Sequence, residues 1–555
     1  MVLRFKIACY SKIRTKFTSF LQGEVMSLAE FMAQVGDALG THKEYDVIVD
    51  NTLLVVGGGD LAQNFATAFA TKYAITIAPH IQSYSGSLGD FRVEVGESQG
   101  DFGNFEGAKS HKNPAKFSQI IFFSAPIELK KPQLGIHFVS DYENQSALCD
   151  EIDALIGDFA FTKTILFDEK KCQYFHRDKT EFSYCADCAA VCPTMAISAN
   201  DAKRELVFSQ IDCILCGKCV AVCPSGAMQK SNATIFNLNK ALKFFKGKIA
   251  VVCENKEDFD KFCEVVLECH KSADANSCND ESNLSELAPL VLPSINMLNE
   301  AFLLSILQES GRICAIIGNA TTKIDTHLKE CADFINDLYH RAVGQNAVFI
   351  SDSAINQNAD FIAHIAQKAH LPYYHYDISE GEFTREIVAN RVRFLIKDND
   401  FGTLKNSANL IYTDLKINAE KCTLCMSCVE SCNANALLSA KDNFTLLLNP
   451  SLCTACGYCI DTCAEKCIEM SLGGYRLNES FLTHRVLASD EPFRCVECGE
   501  IYATKKSIQK VKGILQSVFM GDALKLKSLE CCEKCKVKIM FEKSANLVES
   551  HRSVK

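Results

Sequence analysis

Cysteines at short, fixed intervals constrain this chain more than any other feature. Cys422, Cys425, Cys428 and Cys432 read C-x2-C-x2-C-x3-C, and Cys453, Cys456, Cys459 and Cys463 repeat the spacing. A second doublet precedes it. Cys213, Cys216, Cys219 and Cys223-Pro224 form an intact motif, preceded by Cys185, Cys188 and Cys192-Pro193, whose first position is Phe182. Such a pattern belongs either to a disulfide framework or to a set of metal ligands, and the redox compartment decides between them. Met1 to Phe20 mixes Arg4, Lys6, Lys12, Arg14 and Lys16 among its apolar residues, so no hydrophobic signal core forms. No run reaches the ~18–20 apolar residues of a membrane span. The closest, Leu287 to Leu307, is interrupted by Asn296, Asn299 and Glu300 and reads as a buried strand followed by a helix. A soluble, cytoplasmic, reduced protein is expected, with its 30 cysteines acting as ligands or buried thiols.

Three thiolates two residues apart on one tight loop can wrap three corners of a 4Fe–4S cubane, while the fourth turns away to serve a neighbouring cluster. A lone zinc ion prefers four converging thiolates from two separated pairs, so tandem triplets fit it poorly. By the crossed rule, one cluster takes Cys422, Cys425, Cys428 and Cys463, and the next takes Cys453, Cys456, Cys459 and Cys432. Cys467 lies four residues beyond Cys463 and is an alternative ligand. In the earlier doublet, one cluster takes Cys213, Cys216, Cys219 and Cys192. The other takes Cys185, Cys188 and Cys223, with Cys172 brought back by an inserted loop in place of Phe182. The alternative there is a three-iron cluster or an empty site, with Cys172 an ordinary buried thiol. Gly217 and Gly457 are expected to let the backbone turn its amides toward sulfur, and Ile214, Leu215, Val220 and Ala455 to keep water away.

These doublets resemble the bacterial two-cluster ferredoxins, although Asn433 and Ala464 replace the proline that follows the fourth cysteine in that family. With the fragments CQY near 172 and PFRCVECG near 492, the layout resembles large 4Fe–4S binding proteins of the polyferredoxin type. The resemblance implies about four 4Fe–4S clusters. It also implies single-electron transfer between protein partners such as a dehydrogenase or reductase, with formate-dehydrogenase-like systems among the candidates. Two further readings stand beside it. One is the iron–sulfur subunit, or a fused form, of an oxidoreductase with a nucleotide or flavin. The other is an accessory protein for maturing a molybdenum or selenium enzyme. No catalytic residue is identified.

Cys495, Cys498, Cys532 and Cys535 form two C-x2-C knuckles that resemble a zinc ribbon, so structural zinc is expected there. Redox-active iron or no metal are the alternatives, and Cys531 could replace Cys532. The expected fold is multidomain, with α/β domains alternating with two α+β ferredoxin modules. Its parts are an N-terminal α/β domain (1–165), a first two-cluster module (166–235), a middle α/β domain (236–410), a second module (411–480) and a cysteine-rich tail (481–555). In the middle domain, strands at Lys248–Cys253, Arg312–Ile317 and Ala347–Ser351 alternate with helices near 256–270, 297–310, 326–343, 354–369 and 384–397, which argues for a parallel sheet. Lys271–Ser285 reads as a surface loop.

Weaker signals have ordinary readings. Leu53–Ala62 carries Gly57, Gly59 and Ala62 in the outline of a dinucleotide turn. The acidic residue that such a site places about twenty positions on is missing before Asp90, so a tight strand–helix turn is favoured. Lysines 240, 243, 246 and 248 read as a solvated helix face, with a docking patch for an acidic donor as the alternative. Cys253, Cys263, Cys269, Cys278, Cys314 and Cys331 read as buried thiols, with a further cluster on Cys253, Cys269 and Cys314 as the alternative. A formal charge of −10 gives no footprint for nucleic acid.

Overall fold

In a computed structural model of the chain, residues 19–21, 24–41, 43–94, 115–124, 133–175, 177, 185–272, 286–352, 370–440, 444–519 and 521–539 are described. Phe182, Cys278, the helix expected at 354–369 and most of the loop expected at 271–285 lie outside them. The described residues fall into two compact units that divide between Thr384 and Arg385.

In the first unit the short antiparallel pair Ser19–Leu21 and Glu24–Met26 precedes helix α1 (Leu28–Leu39), started by a capping box in which Ser27 and Glu30 bond each other's backbone N–H. The apolar run Leu53–Val56 is buried along its length, as expected of a central parallel strand. It lies in β1 (Thr52–Val56), which is followed by α2 (Asp60–Phe69) and β2 (Ala74–Ala78). Then come β3 (Gln119–Phe122), β4 (Ile136–Phe138) and α3 (Gln145–Ala154). The sheet order is β2-β1-β3-β4, all parallel. Between β2 and β3 the chain runs through a small antiparallel sheet, Ser83–Ser85, Phe91–Glu94 and Ala115–Phe117, whose apolar side packs on Phe122 and Phe138. Gly57 closes the turn after β1. Its φ is +151°, and a Cβ there would meet that of Phe123 at 2.9 Å. The glycine cluster at 57–59 is thus a tight strand–helix turn.

The first cysteine doublet follows. Strand β5 (Ile165–Phe167) leads to α4 (Asp187–Ala190), the hairpin β6 (Ile197–Asn200)–β7 (Glu205–Phe208), α5 (Lys218–Ala221) and β8 (Met228–Lys230). β8 returns antiparallel to β5.

A second parallel sheet then repeats the topology of the first. Its elements are β9 (Ile249–Cys253), α6 (Lys256–Ser272), β10 (Leu287–Val291), α7 (Glu300–Ser310), β11 (Cys314–Ile317), α8 (Thr326–Val343) and β12 (Val348–Ser351). The order is β10-β9-β11-β12, so both sheets read 2-1-3-4 in chain order. The crossovers here are helical. Every residue of α7 is buried, including Glu300 and Glu309, because the helix is covered on all sides.

The second unit opens with most of α9 (Thr384–Ile396) and contains the second doublet: β13 (Asp414–Ile417), α10 (Ser427–Glu430), β14 (Leu437–Ala440), β15 (Thr445–Leu448), α11 (Tyr458–Asp461) and β16 (Ile468–Ser471). β13 pairs with β16, and β14 with β15, as in the first doublet. β17 (Arg485–Ser489) adds to β15. The tail contains the hairpin β18 (Pro492–Arg494)–β19 (Ile501–Thr504), then α12 (Lys505–Leu515), α13 (Ala523–Ser528) and a further helical stretch over 533–539. No helix among the described residues is long and apolar enough to cross a membrane.

Candidate metal centres

The two doublets share one strand register. Phe167 pairs with Met228, and Ile417 with Ile468. Cys172 and Cys422 each follow the strand residue by five positions, so they occupy equivalent places. The length difference therefore lies between Cys172 and Cys185. Cys172, Cys185, Cys188 and Cys223 line one cavity, together with Phe167, Leu206 and Val222. A second cavity is lined by Cys192, Cys213, Cys216 and Cys219 with Ile165, Ile197 and Phe208. A third is lined by Cys422, Cys425, Cys428, Cys463 and Cys467. Cys453, Cys456, Cys459 and Cys432 form the remaining group: Cys459 feels the charge of Cys453, Cys456 and Cys432, and Cys453 that of Cys456 and Cys432. The fourth cysteine of each triplet thus points across to its neighbour's group.

The loops are shaped by backbone in the left-handed region. Leu215 and Gly217 flank Cys216, Leu424 and Met426 flank Cys425, and Ala455 and Gly457 flank Cys456, all with φ between 54° and 77°. Cys185 and Ala186 take the same region in the fourth loop. Non-glycine residues there cost roughly 1–2 kcal/mol each, so the surrounding packing must impose the shape. The result aims amides at sulfur. Tyr174 N donates to Cys172 Sγ at 3.4 Å, and backbone N–H groups also reach Cys185, Cys216, Cys422, Cys432 and Cys453. Thr164 Oγ1 adds a hydroxyl donor to Cys213 Sγ at 3.4 Å.

A third left-handed residue closes each motif: Met195, Gly226, Asn435 and Lys466, each three positions after a fourth cysteine. Each donates its N–H to that cysteine's carbonyl, at 3.2, 3.3, 3.4 and 3.0 Å. The turn is the same whether proline (Pro193, Pro224) or Asn433 and Ala464 comes next, so loss of the family's proline leaves the local geometry intact.

Burial opposes ionisation of the more deeply set thiols. Desolvation, helped by neighbouring sulfurs, pushes the Cys185, Cys428 and Cys453 thiols up to about 12 and Cys188 and Cys219 further still. Convergent thiols that resist carrying charge together, with amides aimed at them, are a donor set suited to a positively charged metal core.

Gly217 carries a second constraint. A Cβ there would lie 2.7 Å from the Met297 Cβ and 3.0 Å from its Cα, and Ser294 Oγ holds the Cys216 carbonyl at 2.9 Å. The Gly217→Ala variant combines left-handed strain with overpacking and is expected to lose about 2–4 kcal/mol. Thermal unfolding measures this, and an unchanged midpoint would contradict the packing described.

In the tail, the Cys495, Cys498, Cys532 and Cys535 sulfurs all lie within 4.8 Å of one another. Cys498 and Cys532 are 3.6 Å apart, close to the ~3.8 Å edge of a tetrahedron with ~2.3 Å zinc–sulfur bonds. Cys531 instead turns its S–H to the Lys527 carbonyl at 3.3 Å. Although desolvation acts to raise the Cys495 thiol, amides of Cys498, Cys532 and Glu497 bring it down to about 6.

The scattered thiols are buried: Cys253, Cys263, Cys314 and Cys331. Cys314 is in register with Ala250, three residues from Cys253, so the strands do not bring those two together. Lys240 and Lys246 lie over the Phe236 and Tyr373 rings at 3.9 and 4.5 Å. Sequence reasoning did not find Lys230 or Arg385, two buried cations beside the cysteine groups. A lysine at the end of the return strand Met228–Lys230 was the available signal for Lys230.

Comparison with known families agrees with this geometry. Residues 162–227 match one family described as a 4Fe–4S dicluster domain, and residues 414–464 match a second family of the same description. The chain carries two 4Fe–4S dicluster domains. Comparison with curated proteins gave no match. The dicluster domains support an iron–sulfur electron-transfer role and redox-protein partners.

Proposed function

We propose that this 4Fe–4S protein holds four clusters and relays single electrons between protein partners, a dehydrogenase or a reductase. Formate-dehydrogenase-like systems are the candidates the overall layout suggests. The observation that carries the reading is the sorting of sixteen cysteines into four crossed groups, including the one completed by Cys172. When bound, a cluster supplies one-electron chemistry. The protein's own residues hold it, keep water out and aim amide dipoles at its sulfurs. No disulfide joins the cysteines of the four groups, which fits ligands kept reduced.

For the five-thiol cavity we assign Cys463 as the ligand. Asn418 N bonds the Cys467 carbonyl at 2.8 Å, as Asp168 N bonds the Ala227 carbonyl at 2.9 Å, so Cys467 stands where the first domain has alanine. Its sulfur lies 3.6 Å from that of Cys463, close enough for its S–H to donate there. Cys467→Ala should therefore keep the full iron content, whereas Cys463→Ala should lose iron. Loss in the first variant and retention in the second would reverse the assignment. The tail is assigned one structural zinc ion on Cys495, Cys498, Cys532 and Cys535.

Low-temperature EPR of the reduced protein, followed by stopped-flow oxidation with a one-electron acceptor, tests the relay. Cluster signals that appear on reduction and vanish in one-electron steps are expected. Clusters that dithionite cannot reduce would overturn electron transfer in favour of a structural role.

A further inference from the structure

Lys230 and Arg385 are cations buried beside equivalent cysteine groups, which they reach from unrelated positions. Lys230 is fully buried at the end of β8 and donates from Nζ to the Leu215 carbonyl at 2.6 Å, inside the Cys213–Cys216 loop. Its charge acts on Cys213, Cys216 and Cys219. Glu254, the acidic group that also acts on it, has its carboxylate engaged by Ile295 N at 3.1 Å and Thr322 Oγ1 at 2.6 Å. Burial lowers the lysine's affinity for its proton, and the surrounding sulfurs and Glu254 act to restore it.

In the second domain the register puts Met470 where Lys230 stands, since Leu415 pairs with Met470 as Ile165 pairs with Lys230. The cation there comes instead from α9. Arg385 is 4% exposed, lies 3.6 Å over the Tyr412 ring and donates from Nη2 to the Ile411 carbonyl at 2.8 Å. Its Nε and Nη1 are buried and have no hydrogen-bond partner among the described residues, and its charge acts on Cys453. A guanidinium left with unsatisfied donors in a dry interior is costly unless a negative group nearby repays it.

We propose that Lys230 and Arg385 are positioning residues that raise the reduction potentials of the centres on Cys192/Cys213/Cys216/Cys219 and Cys432/Cys453/Cys456/Cys459. The inference rests on the four-cluster reading. One-electron reduction adds one negative charge to a centre, and a fixed positive charge in a low-dielectric interior favours that more negative form. The neighbouring group in the first domain has the half-buried Arg177 acting on Cys172, so the inference concerns the two named centres rather than an order among all four.

The test is a potentiometric titration of the full chain with dithionite, followed by low-temperature EPR, with iron and sulfide counted on each sample. Lys230→Met installs the residue that the second domain carries. One signal should shift so that, at the parent's midpoint, its reduced-to-oxidised ratio falls about tenfold, which is ~59 mV for one electron. Arg385→Met should do the same to a different signal, while Arg385→Lys, which keeps the charge, holds the parent midpoint. Unmoved midpoints with iron intact would overturn the inference. So would loss of about four irons from both Met variants, since the cations would then hold the sites together rather than tune them. Absent iron in the unsubstituted protein would instead strike the cluster reading itself.

Discussion

The Cys172→Ser variant is expected to fall from about sixteen irons per chain to about twelve, or to about fifteen if a three-iron cluster survives. Cys172 is thirteen residues from Cys185, against three in the intact motifs, and spacing alone would make it a stray thiol. Its structural position supports the ligand reading instead. It sits five residues after Phe167 as Cys422 sits five after Ile417, it is 7% exposed, and its sulfur accepts an amide as the Cys422 sulfur does. It shares a cavity with Cys185, Cys188 and Cys223. Iron analysis of anaerobic protein gives the answer. Undiminished iron with an unchanged spectrum would make Cys172 an ordinary buried thiol and leave that site with three protein ligands.

The second large effect is expected in the tail, where Cys532→Ser should release about one zinc ion and open the segment from Pro492 onward to protease. The core of that segment is mostly sulfur. Its buried cluster is Cys495, Cys531, Cys532 and Ile539, with Tyr502 and Cys535 against it. So small an apolar core cannot offset the entropy of ordering the hairpin and its helices. Structural zinc in small peptides contributes about 10–16 kcal/mol of apparent binding free energy, which becomes folding free energy when the apo form is disordered. Surface pairs such as Lys512–Glu530 at 2.7 Å add little by comparison. Chelation should reproduce the variant. A tail that stays protease-resistant without zinc would show that packing alone suffices.

The parts of the fold set by local chemistry are legible in the sequence. Cysteine spacing is a local constraint, so the motif itself suggests four groups and their crossing. Local patterning likewise announces the strand at Lys248–Cys253 and the helices at 256–270 and 326–343. The shared 2-1-3-4 order of the two sheets is not legible there. In the first sheet, three short antiparallel strands replace a crossover helix, which breaks the strand–helix rhythm that announces such a sheet. Left-handed Leu215, Leu424, Ala455 and Lys466 are also invisible in the sequence, because nothing in their side chains favours that backbone and only the closed loop imposes it. Arg385 reads as one charge in an ordinary helical segment, TREIVANRVRFLI. Only tertiary packing against Tyr412 makes it a buried cation.

Iron and acid-labile sulfide, counted on the full chain purified without oxygen, test the central claim most directly. Four crossed thiol groups predict about sixteen of each per chain. A colourless protein with no labile sulfide would contradict it.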